Sequence, residues 1–221
     1  MIARLPWPQI RTVLLDMDGT LLDLQFDNHF WRKLVPERYA SRHSLPLDHA
    51  RAEVVARTQA VEGTLSWYCL DYWAQQLSLD IVALKREIEH LIVVHPHVID
   101  FLEALRADGK RVTLVTNAHP QSLALKMEKT GLARHFDAIV CAHELGLVKE
   151  QLEFWPRLRE IEPFEPTSTL LVDDNLSILR TAWTYGIAYL VSVLRPDSAH
   201  PPKPPGEFPA INDFSELLPV G

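Results

Sequence analysis

Near the start of the chain, the β-branched and aliphatic run Thr12 to Leu15 stops abruptly at Asp16-Met17-Asp18-Gly19-Thr20. Apolar character without alternation over so few residues is the pattern of a strand buried on both faces, and such strands belong to parallel sheets covered by helices. The polar residues that follow are delivered at the strand's carboxyl end, and Gly19 permits a sharp reversal of the chain without a side-chain clash.

Runs of the same kind recur at residues 111–115, 138–140, 169–172 and 187–193, most of them followed by polar or turn residues. Between them, residues 98–107, 120–130, 151–160 and 176–185 place apolar side chains three and four apart, and the first two of these stretches run into Gly109 and Gly131. Alternating strands and helices predict an α/β fold, a Rossmann-like parallel sheet with helices on both faces and a ligand crevice at the carboxyl ends of the strands. Residues 1–20 and 96–221 are expected to form this core.

Residues 21–95 break the alternation. They read as helices at 28–35, 47–61, 67–77 and 81–91 without a convincing strand, which predicts an all-helical cap inserted between the first strand and the second polar motif. The stretch 195–209 is too rich in proline for a helix or a central strand and is expected to be a surface loop. The short amphipathic segment 211–218 should dock back onto the core.

Asp16 and Asp18 stand two residues apart at one strand end, and Asp173-Asp174 end the strand expected at 169–172. Folding would bring both pairs to the same sheet edge. Crowded carboxylates are costly without a cation, and a set of hard oxygen donors favours Mg²⁺. Thr116-Asn117 end another strand and Lys149 follows a third, supplying hydroxyl, amide and ammonium donors suited to phosphate oxygens. An Asp-x-Asp-Gly turn taken alone can simply satisfy its own backbone N–H groups. The convergence of four such segments is what points to chemistry instead.

Composition narrows the classes further. A net charge of −7 with no Lys/Arg-rich run gives a nucleic acid polymer no footing. No stretch approaches eighteen consecutive apolar residues, and Met1 to Ile10 lacks a basic segment followed by an apolar run, so the expectation is a cytoplasmic protein with no membrane partner. Cys69 and Cys141 have no CxxC spacing and read as small buried residues rather than a disulfide or a zinc site. The 47% hydrophobic content suffices for a sizeable core but leaves the oligomeric state open.

In order along the chain, Asp16-Met17-Asp18-Gly19-Thr20, Thr116-Asn117, Lys149 and Asp173-Asp174 resemble the four motifs of the haloacid dehalogenase superfamily, and the resemblance covers nearly the entire chain. It implies that Asp16 attacks phosphorus to form an aspartyl phosphate, while Asp18 protonates the leaving oxygen and later activates water. It further implies Mg²⁺ held by the Asp16 carboxylate, the Asp18 backbone carbonyl, Asp174, and Asp173 directly or through water. Thr116, Asn117 and Lys149 would hold the phosphoryl oxygens. Members that act on carbon–halogen bonds lack an acid two residues after the nucleophile, and the transport ATPases carry Lys where this chain has Met17. Glu150 stands where many relatives have Pro.

The superfamily's mobile cap sits where residues 21–95 lie here, so the cap should set specificity. Residues 26–31 and 67–73 are aromatic with polar tips, suited to stacking a planar base, although aromatics at helical spacing also pack a small module's own core. These stretches, Leu34-Val35-Pro36-Glu37 and Thr116-Asn117-Ala118-His119-Pro120 are similar to those of bacterial GMP/IMP nucleotidases, which implies a purine nucleotide as the small-molecule phosphate ester. The alternatives are a phosphatase of phosphoglycolate or a sugar phosphate, a phosphomutase, or a noncatalytic regulatory protein on the same fold. Retention of both Asp16 and Asp18 argues against the last. His29, His119 and His143 read as helix-start or surface histidines.

Overall fold

The computed structural model describes residues 5–220, so residues 1–4 and 221 of the core segments expected above, with part of the 1–10 stretch, lie outside the described residues. Six strands form one sheet: β1 Thr12–Leu15, β2 Arg111–Thr116, β3 Ala138–Cys141, β4 Thr169–Asp173, β5 Tyr189–Val193 and β6 Ala210–Ile211. Their spatial order is β3-β2-β1-β4-β5-β6 and every pairing is parallel. The five apolar runs became strands. The sixth, only two residues long, was hidden behind the proline-rich stretch and owes its place to β5, against which Ser192 pairs with Ala210 and Val193 with Ile211.

In chain order the helices are α1 Gln25–His29, α2 Val35–His43, α3 Leu47–Ala60, α4 Leu65–Tyr68, α5 Leu70–Leu77, α6 Ile81–Glu87, α7 Val98–Ala107, α8 Pro120–Thr130, α9 Ala142–Leu145, α10 Phe154–Ile161 and α11 Leu176–Tyr185. The period-two alternation of the strands decides which helices go where. Val13 and Leu15 of β1 share one apolar cluster with Phe101 and Leu105 of α7, whereas Leu14 belongs to a second with Trp155 of α10 and Leu179 of α11. Helices therefore cover both faces, as expected. Helix α10 begins three residues later than the pattern predicts because the Gln151 side chain accepts a hydrogen bond from the Val148 N–H, 3.0 Å, and closes a turn instead.

Residues 21–95 carry α1 to α6 and, among the described residues, no strand, only isolated bridges of Leu22 with Asp18 and Val94 outside the sheet. The helix expected at 28–35 runs on, because α1 passes through a π-helical turn, Phe30–Leu34, into α2, with Pro36 in the first turn of the latter, where its missing N–H is not needed. The helix expected at 67–77 is broken at Cys69, which is extended (φ −81°, ψ 112°). Phe26, Phe30 and Trp73 are buried in the same continuous apolar cluster as Val13 of β1, so this helical insertion packs directly onto the sheet.

Candidate active site

Strand order reverses at β1, with β2 on one side and β4 on the other, which opens a crevice beyond their carboxyl ends. The Asp16 N–H donates to the Val172 carbonyl at 3.0 Å and locks the end of β1 to β4. Oxygens of Asp16, Asp173 and Asp174 consequently lie within 4.8 Å of one another. Gly19 makes this possible twice over. Its φ is +84°, and a Cβ at that position would stand 2.9 Å from Asp174 Cγ. Thr20 Oγ1 accepts from the Asp174 N–H at 3.1 Å and fixes the second acid of the pair.

Lys149 is buried between two of these acids, with Nζ 2.5 Å from Asp16 Oδ1 and 2.7 Å from Asp173 Oδ2. Its backbone N–H donates to Asn117 Oδ1 at 3.0 Å, and its carbonyl accepts from the Thr181 hydroxyl at 2.8 Å, so the ammonium is aimed from both sides. The Thr116 hydroxyl accepts from the Ala118 N–H at 3.0 Å, which leaves its own proton to donate. All seven residues singled out from sequence thus gather at one end of the sheet. Glu150, at the position that departs from the superfamily pattern, also turns inward. It accepts from Asn117 Nδ2 at 2.9 Å and from the Tyr68 hydroxyl of the insertion at 2.8 Å.

Burial pushes the carboxyl groups of Asp16, Asp173 and Asp174 up to about 6, against the pull of Lys149 on the first two and Lys203 on the third. Burial acts downward on Lys149, but the two flanking carboxylates more than reverse it and hold its ammonium well above the usual lysine range. The donor set is three carboxylates clustered with oxygen atoms only, which matches a hard divalent cation. Lys203, from the proline-rich loop, reaches Asp174 Oδ2 at 2.9 Å.

Asp18 is held differently. Its carboxylate is not part of the acid trio; Oδ1 accepts from Lys126 Nζ at 2.6 Å, and Lys126 also bonds Asp27 Oδ2 at 2.6 Å, while Lys85 takes the other Asp27 oxygen at 2.7 Å. The two acid pairs expected at one sheet edge thus divide into a clustered trio and a separately held Asp18 carboxylate, an arrangement compatible with the backbone-carbonyl role that the resemblance implies for Asp18. Burial raises the Asp18 carboxyl to about 6, Lys126 opposes this and Asp27 adds to it. Lys126 and Lys85 were missed from sequence, yet a signal existed. Each follows an apolar residue on a buried helical stripe, Ser122-Leu125-Lys126 in α8 and Ile81-Leu84-Lys85 in α6, where a cation needs a partner.

Beside Asp18 opens a cavity of about 670 Å³ between the insertion and the sheet, lined among others by Asn28, Trp31, Arg51, Trp67 and Tyr68. Trp73 also borders the cavity but is fully buried, with Nε1 donating to the Trp67 carbonyl at 2.8 Å, so the aromatics divide by burial rather than by position. His119 starts α8, accepting from the Gln121 N–H at 3.4 Å, but is buried rather than at the surface. His143 opens α9 with both ring nitrogens buried, and half-buried His29 ends α1 rather than starting it. Cys141 is buried, its thiol donating to the Ala118 carbonyl at 3.1 Å, whereas Cys69 is only half-buried.

The family model described as haloacid dehalogenase-like hydrolase matches residues 10–182, a span that contains all seven residues singled out from sequence. The chain belongs to this family. It is 43% identical over 219 residues, 99% of each chain, to the GMP/IMP nucleotidase YrfG of Escherichia coli (strain K12), and equally so to that of Shigella flexneri. The solved structure of a haloacid dehalogenase phosphatase from Thermococcus onnurineus superposes with a TM-score of 0.78 at 23% identity, covering 94% of this chain and 96% of that one, and shares its fold. This haloacid dehalogenase-like hydrolase is a phosphoric monoester hydrolase.

Proposed function

We propose that this phosphatase hydrolyses purine 5'-mononucleotides, GMP and IMP, to the nucleoside and inorganic phosphate. The observation that carries the proposal is the 43% identity to a GMP/IMP nucleotidase across 99% of both chains. The cavity supports it. Its volume lies within the range of roughly 300–1,000 Å³ usual for small-molecule sites, and its half-buried Trp31, Trp67 and Tyr68 offer ring faces to a base. Residues 21–95 act in this reading as the cap that closes over the nucleotide and excludes water.

The residues divide the work. Lys149 holds one oxygen of Asp16, and the other attacks phosphorus as the ester P–O bond breaks. Asp18, whose carboxyl near 6 keeps a protonated fraction close to neutrality, gives its proton to the departing nucleoside oxygen. It then takes a proton from the water that attacks the aspartyl phosphate, releasing phosphate and restoring Asp16. Thr116, Asn117 and Lys149 hold the phosphoryl oxygens throughout. The carboxylates of Asp16, Asp173 and Asp174, with the Asp18 backbone carbonyl, would hold Mg²⁺, which supplies neutralisation of the charge on the transferring group. A cytoplasmic location belongs to the same reading, in keeping with two free thiols.

The test is phosphate release by the purified protein with Mg²⁺ across GMP, IMP, AMP, pyrimidine monophosphates, phosphoglycolate and sugar phosphates, with Asp16→Asn as control. Selective turnover of GMP and IMP by the wild type alone is expected. A preference for phosphoglycolate or a sugar phosphate would refute the substrate while keeping the mechanism, and dependence on a bisphosphate activator would mark a mutase.

A further inference from the structure

Apart from the carboxylate trio, the described residues hold one other group of side chains placed to ligate a metal together. Cys69, His119 and His143 each bring a ligand atom within 4.8 Å of the other two. They come from three distant stretches. Cys69 is the extended joint between α4 and α5 of the insertion, His119 precedes α8 beyond the end of β2, and His143 lies in α9 immediately after β3. The fold alone brings them together, so no spacing rule applied to the sequence could have found them.

The hydrogen bonding of this group is incomplete. Both ring nitrogens of His143 are buried without a partner, and a buried polar group in that condition calls for an explanation such as an ion. His119 is engaged only weakly, with the Gln121 N–H 3.4 Å from Nδ1 and an Asp71 carboxylate oxygen 3.6 Å from Nε2. The two rings meet edge to face with centroids 5.1 Å apart. Burial lowers the pKa of both imidazoles, opposed at His119 by Asp71 and reinforced at His143 by His119, which keeps them in the neutral form that ligation requires.

One thiolate and two imidazoles are the donors of a borderline-soft cation in tetrahedral coordination, with water in the fourth position, and not those of Mg²⁺. We propose that Cys69, His119 and His143 form a second metal site, selective for Zn²⁺, that pins the helical insertion to the sheet. The Cys69 thiol releases its proton to solvent as the zinc–sulfur bond forms. Asp71, beside Nε2 of His119, orients that ring. Cys69 adjoins Tyr68, and both Tyr68 and His119 line the large cavity, so an occupied site holds the insertion closed and slows turnover by restraining release of product.

The experiment titrates Co²⁺, as a spectroscopic stand-in for Zn²⁺, into the full-length protein at saturating Mg²⁺. A thiolate-to-cobalt charge-transfer band should grow in the near ultraviolet to one equivalent and be abolished by added Zn²⁺. The carboxylate site has no sulfur and gives no such band. Cys69→Ser and His143→Ala should lose it while keeping Mg²⁺-dependent phosphatase activity, and Asp71→Asn should weaken Zn²⁺ affinity by roughly 10- to 100-fold. Zn²⁺ should inhibit the wild type reversibly, with chelation restoring turnover, and leave Cys69→Ser uninhibited. Absence of the band in the wild type, or its persistence in Cys69→Ser, would overturn the site, and this holds even if His143→Ala fails to fold. Equal inhibition of wild type and Cys69→Ser would overturn the pinning.

Discussion

Lys126 Nζ lies 2.6 Å from Asp18 Oδ1 and the same distance from Asp27 Oδ2, so one buried ammonium joins the second acid after β1 to a residue of the helical insertion. Lys126 itself is 1% exposed. The buried ammonium is thus a fixed partner that orients the Asp18 carboxylate. Replacing Lys126 by Met should lower kcat by about tenfold or more, within the ceiling of roughly 10²–10⁴ that general acid–base catalysis is worth. Steady-state kinetics on GMP checks this, and an unchanged kcat would remove Lys126 from any positioning role.

Asp27 ties two buried lysines together, and its loss leaves both ammonium groups without that partner. Asp27→Asn is expected to destabilise the protein by about 3–5 kcal/mol, measured by urea unfolding at neutral pH. Burial raises the Asp27 carboxyl, but Lys126 and Lys85 outweigh burial and hold it well below its unfolded value of 3.8. Because the folded value is the lower one, the stabilisation is fully present above about pH 4 and drains away as the pH falls further. The difference between wild type and Asp27→Asn should therefore be larger at pH 7 than in acid and shrink below pH 4. A difference that stayed flat into acid would contradict the assignment.

Gly19 should tolerate no side chain. An alanine there would combine a φ of +84° with a Cβ 2.9 Å from Asp174 Cγ, displacing an acid of the trio. Gly19→Ala is expected to raise the Mg²⁺ concentration needed for half-maximal activity, and Asp174→Asn to abolish thermal stabilisation by Mg²⁺. Either variant behaving like wild type across a Mg²⁺ titration would place the cation elsewhere.

The aromatics should separate by burial. Trp67 lines the cavity, and its replacement by Ala is expected to remove about 1–3 kcal/mol of base stacking, or roughly 5- to 150-fold in KM for GMP. A small aryl phosphate that does not fill the cavity should be turned over as before. Trp73, fully buried, belongs to the core, and Trp73→Ala should cost about 3–5 kcal/mol of stability instead. Equal losses on both substrates for Trp67→Ala would show a structural role.

Much of the architecture was open to reading because it is written in local patterns. Apolar runs ending in polar residues marked β1 to β5, and three- and four-residue spacing marked α7, α8 and α11 at their observed bounds. That the seven candidate residues would gather at one end of the sheet was legible for the same reason, since a parallel sheet must deliver whatever follows its strands to one edge. Boundaries slipped where a side chain or a partner decided them, as at Gln151, whose amide closes a turn, and at β6, which exists only through its pairing with β5. The roles of Lys126 and Lys85 escaped because a lone lysine looks alike on a solvated face and in a buried ion network until packing chooses between them.

What the sequence by itself determined about this protein is its class, its sheet and the order in which its candidate site residues follow the strands. These follow from periodicity and from acids placed directly after strands, both properties of short stretches. Only the tertiary structure decided which carboxylates cluster, that Asp18 belongs to Lys126 and Asp27, that Glu150 ties Asn117 to Tyr68, and that Cys69 meets His119 and His143. Each of those contacts joins residues far apart along the chain, or chooses among side chains close together, and is fixed by how the insertion lies on the sheet. Local patterns carry no information about that distance, because it is set by the packing of two apolar surfaces rather than by any single segment.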